Sequence, residues 1–351
     1  MYQKYLLRVL VYIVVWVVAI GGFTFLREFG QVVIKDYIPF GIYQQIGVHL
    51  ILGVIAGIIF GSLQFIFDKF IYKFVSLGFA LLLGSLSYLI AIFSLLSFAI
   101  VVFAGILEED LHVKLYIELL FSKEMLPIML YCFLIASSIN FISEIDKKFG
   151  PGNLRKMLTG KFYSPKEEER IFMFMDLRSS TSIAEKLGHI KYSELIQDCF
   201  KAVSVVEFYK AEVYQYVGDE VVLTWKKQAG LKDNRCIKAY LAFQEKILNK
   251  RNYYIEMYET VPEFKAGMHI GKITVAEVGE IKREIAYHGN TINTASRIQE
   301  ECNAMGKDFL MSEDILKNIT ETEDFKFEYE GNIRLKGKNE AIKIYSLNQS
   351  Y

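Results

Sequence analysis

Two aspartates in the C-terminal half of this chain follow runs of residues that favour β-strands. Asp176 comes directly after the apolar run 171–175, and Asp219 lies in the Gly-Asp step of QYVGDEVVLTW (215–225). The β-branched and aromatic residues on both sides of that step predict a hairpin whose turn carries Asp219. Strand-end and turn aspartates are common, so their chemistry depends on whether the fold brings them together.

The segment after Asp176 is a turn rich in hydroxyl groups, LRSSTS (177–182). Two carboxylates beside backbone N–H groups and hydroxyls suit hard divalent cations that carry phosphates. Two such cations can activate an attacking oxygen and neutralise a phosphoryl group. The residue types therefore predict a metal-assisted phosphoryl site. Glu220, next to Asp219, is expected on the opposite face of its strand, as a turn or surface charge.

Strand-like and helical patterns around the two aspartates predict an α+β domain. The strand-like segments are 171–175, the hairpin 213–225, 264–278, 285–288, 309–311, 325–335 and 342–347, and the helical ones are 195–206, 234–258 and 290–302. The core order β-α-β-β-α-β is the ferredoxin-like arrangement with additions. In that arrangement the first strand and the hairpin are neighbours, which would bring Asp176 and Asp219 face to face.

The N-terminal half has a different composition. Four stretches contain no Asp, Glu, Lys or Arg, and they are 9–26, 46–67, 74–107 and 125–143. Each is close to or above the length that spans a bilayer as a helix, which predicts a bundle of four transmembrane helices. The third stretch is ambiguous, because one straight helix would run about 50 Å. It predicts either one tilted span or two short ones.

Charge and glycine placement refine this prediction. With four crossings, the lysines and arginines favour the side that holds both termini, which predicts a multi-pass protein of the cell (plasma or inner) membrane with cytoplasmic termini. Gly53, Gly57 and Gly61 lie on one helix face, and they permit close helix contact within one chain or between two, or are simply frequent in such helices. Residues 1–143 are thus predicted as the transmembrane domain, 144–167 as a cytoplasmic linker and 168–351 as the catalytic domain.

Overall composition excludes some functions. Lys plus Arg equals Asp plus Glu at 40 each, so the chain has no net positive charge that would indicate a nucleic-acid partner. The four cysteines have no CxxC pair or metal-like spacing, which favours reduced thiols over a disulfide framework.

Four segments of the C-terminal half together resemble a known family. They are FMDLRSST (174–181), YVGDE (216–220), HGNTINTASR (288–297) and LKGK (335–338). In order and spacing they resemble the catalytic domain of class III nucleotidyl cyclases, the adenylate and guanylate cyclases. Helical membrane domains also precede such catalytic domains in that family. The resemblance covers about half of the chain, and the membrane half matches only in kind.

The resemblance implies a role for each matching residue. It implies two Mg²⁺ or Mn²⁺ ions per active site, held by Asp176, Asp219 and the Leu177 carbonyl. It implies phosphate contacts from Arg178, Ser179, Ser180, Thr181 and Lys336, and catalytic roles for Asn293 and Arg297 on one helix face. In the family the aspartates and the Asn/Arg pair come from different subunits, so the implied assembly is a homodimer with composite sites. Without the resemblance, Arg297 could instead pair with Glu300 or Glu301 on its own helix.

Two positions depart from the family pattern. Where adenylate-forming members commonly carry Lys and Asp or Thr, and guanylate-forming members Glu and Cys, this chain has Gln215 and Ala286. An amide both donates and accepts, so Gln215 could satisfy adenine or guanine. The expected substrate is ATP, with GTP or another nucleoside triphosphate as alternatives. A diguanylate cyclase is a further hypothesis, which the Asn-x-x-x-Arg helix disfavours. A degenerate receptor domain that only binds nucleotide is the non-enzymatic one.

Overall fold

The structure is a computed structural model that describes residues 2–28, 42–72, 75–106, 111–123, 125–150, 152–319, 325–334 and 341–348. The chain divides into two compact units, Met1–Lys148 and Phe149–Tyr351. The first five residues of the predicted linker thus group with the helical unit.

The secondary structure of the N-terminal unit, among its described residues, consists of helices alone. Its helices are α1 (Tyr2–Glu28), α2 (Ile42–Phe70), α3 (Leu77–Ile106), α4 (Val113–Leu120) and α5 (Met125–Phe149). Four of them, all except α4, are long and apolar enough to cross a membrane. The ambiguous third stretch forms the single helix α3. The short helix α4 was not expected, and it lies in the segment that the sequence predicts as the second outer loop.

The glycines of α2 pack against α1 of the same chain. A Cβ at Gly53 would lie 2.7 Å from the Val17 Cα, and one at Gly57 would overlap the Ile13 backbone. Packing of this kind stabilises helix pairs because the two backbones approach closely enough for extensive van der Waals contact. Of the three interpretations of this glycine face, the structure therefore supports contact within one chain.

A polar cluster joins the ends of three helices in this unit. Asp68 at the end of α2 pairs with Arg8 of α1 and, at 2.7 Å, with Lys147 of α5. Lys147 also pairs with the buried Glu144. The start of α1 and the ends of α2 and α5 therefore lie at the same end of the bundle, as expected when a chain crosses a membrane four times.

We predict that Gly57→Ala destabilises the N-terminal unit by about 1–3 kcal/mol, because the added methyl group overpacks the α1–α2 contact. Thermal unfolding of the full chain in detergent measures the change. Gly47→Ala on the same helix is the matched control, since a Cβ there meets nothing within 4 Å. Equal behaviour of the two variants would contradict the intrachain packing.

The C-terminal unit is built on one mixed sheet. Its strands are β1 (Lys166–Leu177), β2 (Glu212–Val217), β3 (Glu220–Lys226), β4 (Phe264–Val278), β5 (Glu284–His288), β6 (Phe309–Ser312), β7 (Lys326–Ile333) and β8 (Ile342–Asn348). The order is β2-β3-β1-β4-β6-β8-β7, with β5 paired to β4. Strands β1 to β4 therefore lie in the spatial order β4-β1-β3-β2, which is the order that the ferredoxin-like core requires. The predicted fold is confirmed.

Helices cover both faces of this sheet. They are α6 (Asn153–Leu158), α7 (Ser180–Leu187), α8 (His189–Val203), α9 (Lys227–Leu231), α10 (Arg235–Leu248), α11 (Arg251–Tyr258), α12 (Asn290–Met305) and α13 (Glu313–Leu316). The long helix predicted over 234–258 is in fact two helices, α10 and α11, with a break at Asn249 and Lys250. The segment predicted as a linker contains the end of α5, all of α6 and the start of β1.

The alternation of β1 side chains separates two cores. Ile171, Met173 and Met175 point into the larger core with α8 and α10, whereas Phe172 and Phe174 point into a smaller core with α12. Helix α12 lies very close to β4 at Gly267, where an added Cβ would overlap the backbone of Gln299. This close approach places α12 directly beside the end of β1, where Asp176 lies.

Candidate active site

Asp176 and Asp219 are brought together by the pairing of β1 with β3. Asp176 is the second-last residue of β1, and Asp219 occupies the turn after Gly218, whose φ of 60° suits glycine. Burial raises the pKa of Asp176, and the nearby Asp219 carboxylate raises it further, although Lys265 acts in the opposite direction. The two carboxylates are thus close enough to repel each other, as the sequence predicts.

The Asp219 carboxylate fits a cation ligand. Its Oδ2 atom is buried and has no hydrogen-bond partner among the described residues. A buried anionic oxygen without a partner is costly in free energy, and a bound cation would remove that cost. Asp176 and Asp219, with the carbonyl of Leu177, would hold Mg²⁺ or Mn²⁺ here. The Leu177 side chain is buried in the core and leaves only its backbone for such a role.

Two further residues contact Asp176, and the sequence patterns had not predicted either of them. Lys265 of β4 lies cross-strand from Asp176, and its Nζ is 3.1 Å from Oδ2. The Gln299 amide of α12 donates to the same oxygen at 3.2 Å. Both side chains are more than nine-tenths buried. A lysine inside the apolar run FKAGM was a detectable signal, because a charge in a buried strand requires a partner.

Glu220 does not lie on the face that was expected for it. It is the direct cross-strand partner of Asp176, so the two side chains share one face of the sheet. Burial raises the pKa of Glu220 to about 7, with further contributions from Asp176, Asp219 and Glu300. The expectation was wrong because strand alternation does not apply across the turn that contains Asp219. Glu220 is therefore a third carboxyl at the site.

The hydroxyl-rich turn after β1 forms the start of α7. Ser179 adopts the left-handed conformation with a φ of 53°, and α7 begins at Ser180. The first N–H groups of a helix have no partner within it, so those of Ser180 and Thr181 can donate to an anion. Burial raises the pKa of Tyr192 on α8, and the negative charge of Asp219 raises it further. Tyr192 therefore lies near the aspartates.

Arg178 is engaged away from this turn. Its Nη2 donates to the Lys307 carbonyl at 2.7 Å and pairs with Asp308 at 2.5 Å. Its backbone N–H donates to the Glu263 carbonyl at 2.8 Å. In this conformation Arg178 anchors the end of β1 to the segment before β6 rather than facing the α7 N-terminus. Lys336, the other expected phosphate contact, lies outside the described residues.

Asn293 and Arg297 point away from the aspartates of their own chain. Gln299 faces Asp176, and Arg297 precedes it by two residues, a rotation of about 200° around the helix. Asn293 is exposed and Arg297 is half-buried. Among the described residues Arg297 has no ion pair with Glu300 or Glu301 or with any other carboxylate. Its guanidinium is therefore available to a ligand or to a second chain.

The two positions expected to recognise the base each lie next to a tyrosine, and these two tyrosines contact each other. Gln215 is exposed on β2, and Ala286 is buried on β5. Their neighbours Tyr214 and Tyr287 pack edge to face, with ring centroids 4.8 Å apart. The fully buried Arg170 supports this contact, because its Nη1 donates to the Tyr287 hydroxyl at 2.7 Å and its Nη2 pairs with Glu212 at 3.1 Å.

Comparison with known proteins identifies the family of the C-terminal half. Residues 162–349, more than half of the chain, match the family described as the adenylate and guanylate cyclase catalytic domain. The fold and the site thus define a nucleotide cyclase domain, and the chain belongs to this family.

Several relatives and solved structures are similar to the chain. It is 31% identical over 230 residues to Adenylate cyclase 2 of Rhizobium meliloti (strain 1021), covering 64% of this chain and 63% of that protein. It is 25% identical over 183 residues to an adenylate cyclase of Anabaena cylindrica, covering 50% of this chain and 36% of that one. The chain thus spans less than two thirds of these relatives. A bacterial light-regulated adenylyl cyclase shares the fold, with a TM-score of 0.55, 18% identity and coverage of 65% and 66%.

We predict that Glu220→Gln stabilises the C-terminal unit at pH 8 in EDTA by about 1–3 kcal/mol, which is less than the full pKa shift would give because solvent screens this partly exposed group. The folded-state pKa of about 7 lies above the ordinary 4.5, so ionisation of Glu220 opposes folding. This destabilisation of the folded state grows as the pH rises from 4.5 to 7 and is complete above pH 7. It is absent at low pH, where Glu220 is protonated in both the folded and the unfolded state. The fluorescence of Trp225, buried in this unit, reports unfolding.

The stabilisation should disappear near pH 4, and it should shrink in Mg²⁺ if a bound cation already offsets the repulsion. Glu194→Gln, at an exposed position on α8, is the matched control and should change little. A stabilisation by Glu220→Gln that is equal at pH 4 and pH 8 would contradict the clustering of carboxyls.

Proposed function

We propose that this chain is a membrane-anchored adenylate cyclase that converts ATP to 3′,5′-cyclic AMP and pyrophosphate in signal transduction. The observation that carries the proposal is the pairing of β1 with the β2–β3 hairpin. It brings Asp176 close to Asp219, whose buried Oδ2 atom has no hydrogen-bond partner in the described part of the chain. The family match and the names of the relatives support the same reaction.

The side chains of this site would position the triphosphate and balance its charge. Mg²⁺ or Mn²⁺, two per site, would when bound neutralise the phosphates and lower the pKa of the attacking 3′-hydroxyl. Asp176, Asp219 and the Leu177 carbonyl would hold them, and the N–H groups of the Ser179–Thr181 turn would bind phosphate oxygens. Lys265 and Gln299 fix the orientation of the Asp176 carboxylate before any ligand arrives. Such catalysis needs positioning and charge neutralisation rather than a covalent nucleophile.

The orientation of α12 supports a homodimer with composite sites. Because Gln299 faces Asp176, the Asn293 and Arg297 of the same helix face away from it. A second copy of the chain, presenting its own aspartates to that outer face, would complete each site. Asn293 would then orient the ribose, and Arg297 would stabilise charge on the α-phosphate. Lys336 is assigned to the terminal phosphates.

The proposed arrangement in the cell follows from the N-terminal unit. Residues 1–143 would span the plasma or inner membrane four times, and 144–167 would connect them to the catalytic domain at 168–351. The cluster of Arg8, Asp68 and Lys147 supports a single side for both termini, which we assign to the cytoplasm. We assign the membrane unit to sensing, to dimerisation or to both.

ATP is the proposed substrate because the relatives are adenylate cyclases. Gln215 offers both a donor and acceptor, and Ala286 offers no side-chain hydrogen bond, so weak discrimination between bases is expected. A guanylate or pyrimidine nucleotide cyclase of the same mechanism, and a domain that only binds nucleotide, are the competing outcomes of the assay.

The test is to incubate the purified full chain with Mn²⁺ and each of ATP, GTP, CTP and UTP, and to identify the products by mass spectrometry. We expect cyclic AMP as the main product, and a rate about 100-fold or more lower in Asp219→Asn. The exposed substitution Glu194→Gln should leave the rate unchanged. Absence of any cyclic product would refute the enzymatic proposal, and a different main product would reassign the base.

A mixing experiment tests the composite site separately. Asp219→Ala and Arg297→Ala chains should each be inactive, and their co-expression should restore part of the activity, because one site of a mixed dimer is intact. Asp176→Ala co-expressed with Asp219→Ala is the matched control, since both substitutions damage the same half of the site and no dimer is intact. Recovery in neither pair, with dimers present, would rule out shared sites.

A further inference from the structure

The segment at the end of helix α5 and directly after it is strongly basic. Residues 147–166 contain six lysines and arginines and no aspartate or glutamate, whereas the chain as a whole has equal numbers of the two signs. Clusters of about four to eight lysines and arginines directly beyond a transmembrane helix are typical of contact with anionic lipids. The six are Lys147, Lys148, Arg155, Lys156, Lys161 and Lys166.

Three of these cations have no acidic partner in the described part of the chain. They are Lys148, Arg155 and Lys166, and all three residues are exposed. The charge of each is therefore free to contact an anion outside the protein.

The inner face of the segment is attached to the C-terminal unit. Lys156 pairs with Glu212 of β2 at 3.0 Å, and Lys161 pairs with Glu168 of β1 at 3.4 Å. Phe162 is buried in the smaller core, and its carbonyl accepts a backbone hydrogen bond from β4 at 2.8 Å. Because the inner face is fixed in this way, the side chains on the outside are held on a rigid support.

The outer face carries large apolar side chains together with unpaired cations. Leu158 and Tyr163 are each 79% exposed. Leu158 follows Arg155 by three residues on α6, so the two share one face of that helix. The Tyr163 N–H donates to the Gly160 carbonyl at 3.1 Å, which keeps Tyr163 close to the end of α6. Surfaces that combine exposed leucine and tyrosine with cations are typical of contact with the headgroup region of a bilayer. We refer to these side chains as the outer surface, which consists of Arg155, Leu158, Tyr163 and Lys166.

The length of the chain keeps this surface near the proposed membrane. Helix α5 is long and apolar enough to cross a membrane and ends at Phe149, and α6 begins at Asn153. Four residues of chain reach at most about 14 Å. If α5 crosses the bilayer, the start of α6 therefore stays close to the headgroups.

We propose that the outer surface binds the anionic phospholipid headgroups of the bilayer that the N-terminal unit spans. Arg155 and Lys166 contact headgroup phosphates, and Leu158 and Tyr163 enter the boundary between headgroups and acyl chains. Since Lys156 ties the same segment to β2, this contact holds the catalytic domain at the membrane surface. The inference rests on the proposed membrane anchoring and does not depend on catalysis.

The test compares the full chain in two kinds of nanodisc, made of phosphatidylcholine alone or with about one third phosphatidylglycerol. A nitroxide label on Leu158→Cys reports the environment of the outer surface. The labelled chain also carries Cys132→Ala, because the other native cysteines are buried. The ratio of lipid-contacting to water-exposed label should be higher in the anionic nanodiscs by about fivefold for each of the two cations, or about 30-fold.

A label on Ile190→Cys is the matched control. Ile190 on α8 is also 79% exposed and precedes the exposed Lys191, but it lies outside the basic segment. This label should stay exposed to water in both kinds of nanodisc. No difference between the lipids at Leu158, or an equal response of the two labels, overturns the proposal.

Charge variants identify the groups responsible. Arg155→Gln combined with Lys166→Gln removes both cations of the outer surface and should abolish the difference between the two lipids. Lys191→Gln combined with Lys232→Gln removes the same charge from exposed positions elsewhere in the unit and should preserve the difference. A difference that survives the first pair, or that is lost in both pairs, overturns the proposal.

The same samples distinguish the other outcomes. Dipolar broadening between labels at Leu158 would show that a second copy of the chain covers this surface, which overturns the proposal. Co-elution of the chain with the nanodiscs is measured first, and a chain that does not co-elute overturns the membrane anchoring as well. A chain that co-elutes but does not respond to anionic lipid overturns this inference alone. Because none of these readouts requires catalysis, they are independent of the cyclase assay.

Discussion

Three carboxyl groups lie close together at the end of β1, and their mutual repulsion is the constraint that the C-terminal unit has to accommodate. Asp176, Asp219 and Glu220 meet there because β1 and β3 pair directly, and the pKa values of Asp176 and Glu220 are raised by burial and by their neighbours. Lys265 is the cation that contacts Asp176 in the described part of the chain, at 3.1 Å. A single ammonium group cannot balance three carboxylates. The fold therefore holds a site of excess negative charge, which divalent cations are suited to neutralise.

The two faces of helix α12 have different surroundings, and one of them contacts this carboxyl site. Gly267 lets the helix backbone approach β4, and this brings the Gln299 amide to Asp176. The opposite face carries Asn293, which is exposed, and Arg297, which is half-buried and has no ion pair among the described residues. A helix that is close to the sheet on one side and presents unused polar groups on the other is consistent with a site that two chains complete.

The N-terminal unit follows a different principle if it spans a membrane as proposed, because apolar helices gain little from burial against one another in lipid. Its described helices combine close contact at Gly53 and Gly57 with ion pairs at one end of the bundle. The tight α1–α2 pair and the ion pairs hold the bundle together.

Patterns local in the sequence predicted much of this. Runs of apolar residues predicted the four long helices, since their length and lack of charge are local properties. Strand and turn propensities predicted the hairpin that carries Asp219, and the order of elements predicted the ferredoxin-like core. The break between α10 and α11 and the short helix α4 were missed, because tertiary contacts decide such boundaries more than propensity does.

Other features depended on register and packing, which bring together residues far apart in the chain. Cross-strand pairing, rather than alternation from Asp219, put Glu220 beside Asp176. The same pairing joined Lys265 to Asp176, and the close approach at Gly267 added Gln299 from another helix. The choice of a partner for the α2 glycines likewise required the structure. The residue types of the main site were readable from the chain itself, because carboxylates and turns have local signatures. Which other groups contact that site and contribute to its charge was decided only by the tertiary fold. The reason is that electrostatic and packing energies depend on distance in space rather than along the sequence.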